Sequence, residues 1–358
     1  MSFLQGAVTM IPAIAAAVLA FAFLIVVHEL GHAAAARAVG MKIVRFSVGY
    51  GKVLWSFRLG ETEVALSAIP VGGYCWIGGM IPEDGVDPAS PRAWLNQHAW
   101  RRTFAIAAGP VASYAGAIFV AAVLFVTVGL RVPVEGPWVG DLLPDSPAQK
   151  AGLQPGDRVV SIGGTPVGSW EDMLAGIQRR PGQAVEVVVE RGEGAGAARV
   201  VLSLTPRDDR GVGRAGFSQH SRPERRRRGA AIAEAFRHTN VAMAAQARGI
   251  LRAFSGKAST SELSGPLDIG RTLAKGARLG PERFFTLIWI LSVALAVLNL
   301  LPLPPLDGGK LVFLLWELAT GRRASQRIEA AVSWVGFILL ATLMLGVTIF
   351  GDIPRLLR

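Results

Sequence analysis

Apolar residues along this chain fall in four long blocks, and the polar residues gather in the segments between them. Residues 11–27 (IPAIAAAVLAFAFLIVV) are almost wholly apolar, and no charged residue occurs before His28. Residues 103–130 are uncharged between Arg102 and Arg131, residues 284–306 between Arg283 and Asp307, and residues 330–351 between Glu329 and Asp352. At about 1.5 Å of rise per residue, each block is long enough for a helix to cross a hydrocarbon core of about 30 Å. Between the first two blocks the pattern changes to period two. Residues 43–48, 53–59 and 63–69 alternate and are rich in β-formers, with turn signals at Gly49-Tyr50-Gly51 and Gly60-Glu61. A glycine-dense strand follows, Val71-Gly72-Gly73-Tyr74-Cys75-Trp76-Ile77-Gly78-Gly79, whose backbone is open to close approach. Residues 81–91 then read as a polar loop.

One large polar insertion lies between Arg131 and Arg283. Its first half predicts a small β-rich module. Asp145 to Leu153 gives a short capped helix ending at Gly152, and residues 154–164 give a turn, a strand and a second turn. Residues 170–178 predict an amphipathic helix, and residues 184–190 and 198–204 are alternating strands. From Arg207 to Arg228 there are eight arginines against Asp208, Asp209 and Glu224, and Arg225 to Arg228 are consecutive. This stretch reads as a solvated connector, with anionic lipid head groups as the alternative contact. Residues 230–254 are Ala-rich and helical with scattered arginines, a pattern suited to a membrane surface.

Composition agrees with this division. Of 358 residues, 51% are hydrophobic and only 18% charged, which fits a polytopic α-helical membrane protein with one polar insertion. The apolar run at 11–27 has no basic residues before it and leads into His28 without a cleavage pattern, so a cleaved signal peptide is not expected. Cys75 is the only cysteine, which excludes a disulfide framework and a cysteine-built zinc site. The net charge of +11 is not accompanied by aromatic interleaving or an RNA-binding signature, so no nucleic-acid partner is expected. Loop one, residues 37–102, carries eight Lys and Arg, and loop three, residues 307–329, carries four. By the positive-inside rule both belong in the cytoplasm, with the polar insertion on the outer side.

The chemistry is concentrated where the first block ends. His28-Glu29-Leu30-Gly31-His32 places two imidazoles at i and i+4 on one helical face, with a carboxylate beside them to accept a proton from an attacking water. Ionisable groups at membrane depth are costly and mark functional sites. Two histidines need a third protein ligand, and Asp307 is the best candidate, in Asn299-Leu300-Leu301-Pro302-Leu303-Pro304-Pro305-Leu306-Asp307-Gly308-Gly309. Three prolines in four positions prevent a continuous helix there, and irregular backbone at this depth is tolerated only against protein or a water-filled cavity. His98, His220 and His238 have no histidine at i+4 and read as surface or interfacial residues. Cys75 reads as a packed small side chain rather than a nucleophile.

Together these motifs resemble the site-2 protease family of intramembrane zinc metalloproteases, nearest the bacterial regulator-of-sigma-E type. The resemblance covers nearly the whole chain. It extends to Leu263-Ser264-Gly265-Pro266-Leu267-Asp268-Ile269 before the third span, and to the glycine-rich strand as part of a membrane-associated β-hairpin region. "SPAQKAGLQPGDRVVSIGG" resembles a PDZ domain of the bacterial protease type. The implied layout is a first membrane half at 1–130, a PDZ-like domain at 131–206, an arginine-rich linker with amphipathic helices at 207–283, and a second membrane half at 284–358. The resemblance implies one zinc ion held by His28, His32 and Asp307, with Glu29 as general base. It implies transmembrane protein substrates already trimmed on the outer side, such as anti-sigma factors or signal-peptide remnants, and a multi-pass location in the inner membrane with the active site toward the cytoplasm. Asn299 is placed to hold the substrate backbone or the developing oxyanion. Gly72, Gly73 and Tyr74 are placed to bind an extended substrate by strand addition. The PDZ-like domain would take a peptide or C-terminus. One departure is a single such domain where the regulator-of-sigma-E type has two. Two other classes compete. A catalytically silent PDZ adaptor would not need Glu29, and a metal transporter would spread polar residues over several spans.

Overall fold

The computed structural model describes residues 2–80, 85–192, 197–209, 211–225, 227–255 and 265–356. Residues 81–84 of the predicted loop, Arg226 of the arginine run, and Leu263 and Ser264 lie outside the described residues. The chain divides into two compact units, Thr127–Arg226 on one hand and Met1–Val126 with Arg227–Arg358 on the other.

The larger unit is helical. It contains α1 (Ser2–Ala38), α2 (Ala99–Thr127), α5 (Arg228–Phe254), α6 (Pro266–Leu279), α7 (Pro281–Asn299), α8 (Asp307–Thr320) and α9 (Gln326–Val347). Four stretches of helix, Met10–Ala38, Ala99–Thr127, Pro281–Asn299 and Arg327–Asp352, are long and apolar enough to cross a membrane. Their interior contacts use small residues, with Ala17, Ala20, Ala117 and Ala121 all buried, so that backbones approach closely. The third apolar block does not form one helix through residue 306. Helix α7 stops at Asn299, an irregular segment carries Pro302, Pro304 and Pro305, and α8 restarts at Asp307. Proline supplies the reason for the stop, because it lacks the amide that the helix ladder needs. The restart is a correction to the sequence reading, which left residues 307–329 as a loop.

Between α1 and α2 lies a β-ribbon of two long strands, β1 (Ile43–Leu59) and β2 (Thr62–Ile77). The turn expected at Gly49-Tyr50-Gly51 is instead a register shift within β1, where Tyr50 pairs with Ile69. Gly49 and Gly51 both take positive φ there, which bends the strand without ending it. The ribbon folds back on itself. Residues 45–48 pair with residues 63–66 and also with residues 73–76, from Arg45 opposite Trp76 to Val48 opposite Gly73. In this register residues 73–76 have one strand neighbour and form an edge among the described residues.

The smaller unit is built as a soluble domain would be. A four-stranded sheet in the order β6 (Thr165–Pro166), β5 (Arg158–Ile162), β7 (Val185–Arg191), β8 (Ala198–Leu204) packs on α4 (Trp170–Gln178). Val187, Val189, Leu204, Ile162 and Met173 fill the core. Ser169 caps α4 in a capping box with Asp172, and Ser146 caps the short α3 (Pro147–Lys150). Both helices and the strands at 158–162, 185–191 and 198–204 lie where the alternation predicts them.

The stretch after Pro206 departs from the expected connector. It forms β9 (Arg207–Asp209), β10 (Val212–Arg214), β11 (Phe217–Gln219) and β12 (Ser221–Glu224). Strand β11 pairs with β4 (Val139–Leu142) and β12 with β3 (Leu130–Pro133), so the compact unit closes at Arg226 rather than Pro206. The reason is edge pairing. Strands of three or four residues need no internal alternation when the backbone bonds come from a preceding strand, so the arginines occupy exposed positions such as 207, 214 and 222.

Candidate metal centre and active site

Every catalytic, metal-ligand and substrate-binding candidate from the sequence lies on one cavity. His28, Glu29, His32, Asn299, Asp307, Gly72, Gly73 and Tyr74 line a space of about 390 Å³ in the helical unit. Helix α1 supplies the first three. Its register puts His28 and His32 one turn apart, and both are buried to 7% exposure. Asp307 arrives as the first residue of α8. The following Gly308 and Gly309 are needed there, because a Cβ on either would overlap the backbone of residues 300–304. The first turn of α8 can therefore fold back against the irregular segment and bring its carboxylate to α1. At the other end of α8, Glu317 pairs with the buried Arg102 of α2, which also donates to the Gln97 carbonyl. That ion pair sets the direction of α8 from a point three turns away.

The donor atoms form a small triangle. His28 Nε2 and His32 Nε2 are 3.3 Å apart, and Asp307 Oδ2 lies 3.1 Å from the first and 3.2 Å from the second. Among the described residues this is the one group of three His, Cys, Asp or Glu side chains that converges on a point. Zinc ligands at about 2.0–2.1 Å in tetrahedral array sit about 3.3–3.4 Å from one another, so the triangle is the size that zinc requires. Protonation agrees. His32 Nδ1 lies 2.9 Å from the Ala105 carbonyl, which can only accept, so Nδ1 carries a proton and Nε2 is the nitrogen left to ligate a metal. Asp307 Oδ2 is buried and has no hydrogen-bond donor. Potential ligand atoms from α1 and α8 thus converge in a buried space, the arrangement a bound cation requires.

Around this centre the strand edge and α7 supply further groups. Asn299, the last residue of α7, brings its amide Nδ2 to 3.5 Å from His28 Nε2. Gly73 packs directly on α1: an added Cβ would meet the Ser47 carbonyl, the Ile25 side chain and, at 3.7 Å, Glu29 Cγ. Tyr74 stacks on Tyr50 with ring centroids 5.9 Å apart. Burial, with the Glu29 charge adding to it, pushes the Cys75 thiol up to about 12, so Cys75 lines the cavity as a neutral thiol.

The profile of peptidase family M50 matches residues 16–343. The chain belongs to peptidase family M50. A zinc metalloprotease of Clostridium acetobutylicum is 30% identical over 93% of this chain and 95% of its own. One from Nostoc is 32% identical over 94% and 93%. The regulator of sigma-E protease RseP of Escherichia coli is 27% identical over 96% and 98%. This peptidase is therefore a zinc-dependent metalloprotease of the site-2 type, a polytopic membrane protein whose donor triangle fits the metal.

Several cavity and supporting residues were not singled out from the sequence: Tyr50, Lys310, and on α2 Ala105, Gly109 and Ser113. The α2 group carries no charge and so escapes a search for ionisable residues. The available signal was spacing, since Gly109 and Ser113 are four apart in an apolar helix, the small-residue pattern of close helix contact. His98, His220 and His238 stand outside the centre, His238 3.6 Å from Glu234 one turn back along α5.

Proposed function

We propose that this peptidase hydrolyses peptide bonds within or near transmembrane segments, with Glu29 as general base and His28, His32 and Asp307 as zinc ligands. The observation that carries the reading is the buried triangle of donors with Glu29 and a strand edge on the same cavity. Held by these three residues, zinc would supply a Lewis acid that makes water easier to deprotonate and polarises the scissile carbonyl. Glu29 takes the proton as the water oxygen bonds to the carbonyl carbon, then returns it to the amine as the carbon–nitrogen bond breaks. The Asn299 amide is within reach of the developing oxyanion or of the substrate backbone.

A substrate helix must lose its own hydrogen bonds to be cut, and each lost bond costs several kcal/mol in lipid. The edge at Gly72, Gly73 and Tyr74 offers replacements by strand addition, beside Glu29. Replacing Gly73 with Pro is expected to abolish cleavage with zinc content unchanged; normal cleavage by that variant would sink the clamp.

The substrate class we assign is transmembrane proteins already trimmed on the outer side, anti-sigma factors or signal-peptide remnants among them. The location we assign is the inner membrane, with the catalytic end of α1 toward the cytoplasm and unit 127–226 outside. That unit is read as PDZ-like and as a binder of peptide or a new C-terminus. Between α4 and β10–β11 it has a cavity of about 320 Å³ lined by Trp170, Leu174, Ile177 and Phe217, apolar enough for one such side chain. The alignment with RseP spans 445 positions whereas this chain has 358 residues, consistent with one module here in place of two.

The deciding experiment is cleavage of a tagged single-span substrate by wild type and Glu29→Gln, with zinc measured on both purified proteins. Cleavage by wild type alone, with zinc in both, is expected. Equal cleavage by both proteins would place the chemistry elsewhere.

A further inference from the structure

Helix α2 touches the metal centre without contributing a ligand. Ala105, Gly109 and Ser113 are spaced four apart, so they lie along one face of α2. That face meets both imidazoles. The Ala105 carbonyl accepts from His32 Nδ1 at 2.9 Å, and Ser113 Oγ lies 2.9 Å from His28 Nδ1. Between them, Gly109 leaves a gap. A Cβ there would clash with His32 Nε2 and Cε1 and lie 2.9 Å from His28 Cε1. Ala105 is fully buried and Ser113 is 2% exposed, so both Nδ1 contacts are shielded from bulk water. The helices can come this close because Gly31 of α1 sits against the Ala108 carbonyl and Ala112, and Gly116 of α2 against Val27.

The two anchors differ in kind. A carbonyl has no proton to give, and it fixes the His32 tautomer outright. A hydroxyl both gives and accepts. It fixes the His28 tautomer only if its own proton is used elsewhere, and a helical serine has that outlet in the carbonyl four residues back. With that outlet used, Ser113 would accept from His28 Nδ1, leaving the Nε2 lone pair to face Asp307 and His32. If Ser113 merely filled space between helices, alanine would serve equally well.

We propose that Ser113 and Gly109 are positioning residues of the metal centre: Ser113 sets the tautomer and ring angle of His28, and Gly109 keeps the space in which both imidazoles turn toward Asp307. The inference rests on the zinc reading of the site. The test uses the full-length protein in detergent, with zinc affinity measured by competition against a chromophoric chelator. Outer-shell partners of ligating histidines typically contribute 10–100-fold in affinity, so Ser113→Ala is expected to weaken zinc binding by about that factor. Nitrogen NMR of histidine-labelled, zinc-free protein supplies a second readout. In Ser113→Ala the His28 ring should lose its preference for the Nδ1–H form while His32, held by Ala105, keeps it. Wild-type affinity in Ser113→Ala, or equal disturbance of both rings, would overturn the assignment, the latter because it signals general loosening of the helix pair. Gly109→Ala should bind no measurable zinc, and normal binding there would remove the gap from the proposal. Failure of the zinc reading itself looks different, since wild type would then bind none.

Discussion

The two units of this protein follow opposite rules for what goes inside. In unit 127–226 the interior is apolar, with Val187, Val189 and Leu204 at 1% exposure or less, and the one buried carboxylate among the described residues, Asp157, is held at 2.8 Å by both Nε and Nη2 of Arg191. In the helical unit large apolar side chains face outward, Leu19 at 69% and Val335 at 68% exposure, while His28, His32, Arg102, Ser113, Ser292 and Asp352 are buried. Burying apolar surface drives folding only where the surroundings are water. Around α1, α2, α7 and α9 the surroundings are lipid, so small-residue contacts and satisfied polar groups hold the helices together instead. The same physics explains why the group of His28, His32 and Asp307 lies in the helical unit, where a buried polar centre is a normal way to build an interior.

The comparison breaks most sharply at a core position of the small unit. Leu204 is fully buried at the end of β8, and Leu204→Ala is expected to destabilise that unit by about 2–5 kcal/mol. Limited proteolysis should open residues 127–226 in this variant while zinc content stays at the wild-type level. Loss of zinc together with the small unit would show that the two do not fold independently.

A matched pair of surface valines sharpens the contrast. Val335 on α9 and Val201 on β8 are 68% and 62% exposed, so to a probe of water size they are alike. On a lipid-facing helix, Val→Asp changes the insertion free energy by about 3 kcal/mol, whereas an exposed position on a water-facing strand is usually neutral to within about 0.5 kcal/mol. Val335→Asp should therefore reduce the membrane-inserted fraction strongly, and Val201→Asp should leave expression and the thermal melt unchanged. Equal tolerance at both positions would deny that α9 faces lipid.

Legibility in the sequence divides along the same line. The spans, α4, and the strands at 185–191 and 198–204 were readable because long uncharged runs and alternation are strong signals. The histidine pair was readable because charge at membrane depth has no bland explanation. What escaped were features defined by a partner far off in the chain. The strands of 217–224 exist through β3 and β4, about 80 residues earlier, and the arginines around them suggest a coil. Helix α8 was hidden by the prolines before it, although Leu311, Leu314, Leu315 and Leu318 repeat at helical spacing. Ser113 and Gly109 act through absence of bulk and a single hydroxyl, and their four-residue spacing marks only a close helix contact.

Asp352 is a smaller test of how the helical unit satisfies its interior. Its carboxylate is 1% exposed and accepts from the Gly265 amide at 2.9 Å and from the Leu267 and Asp268 amides at 3.1 and 3.2 Å. It thereby caps the N-terminus of α6 from the far end of the chain, at a π-helical turn after α9. Asp352→Asn turns one acceptor into a donor aimed at amides, and is expected to cost about 1.5–3 kcal/mol. A lowered melting temperature with protease cutting confined to the start of α6 would bear this out; an unchanged melt would make the cap incidental.

The least effect is expected at Cys75, where the prediction concerns pH rather than stability. The thiolate is the reactive form, and burial beside the Glu29 charge holds the thiol protonated up to about 12. The folded value lies above that of an unfolded cysteine, so the thiolate fraction in the native protein is depressed throughout pH 7 to 10 and recovers only above that window. Alkylation of folded protein at pH 8 should therefore be slower than in sodium dodecyl sulfate by a factor of order 10³, and at pH 10, where the unfolded thiol is already ionised, the gap should narrow to a factor of order 10². Rapid labelling at pH 8 with zinc and activity intact would mean that the edge strand moves away from Glu29 in solution. The β-ribbon would then be the one part of the helical unit that is not held by its interior.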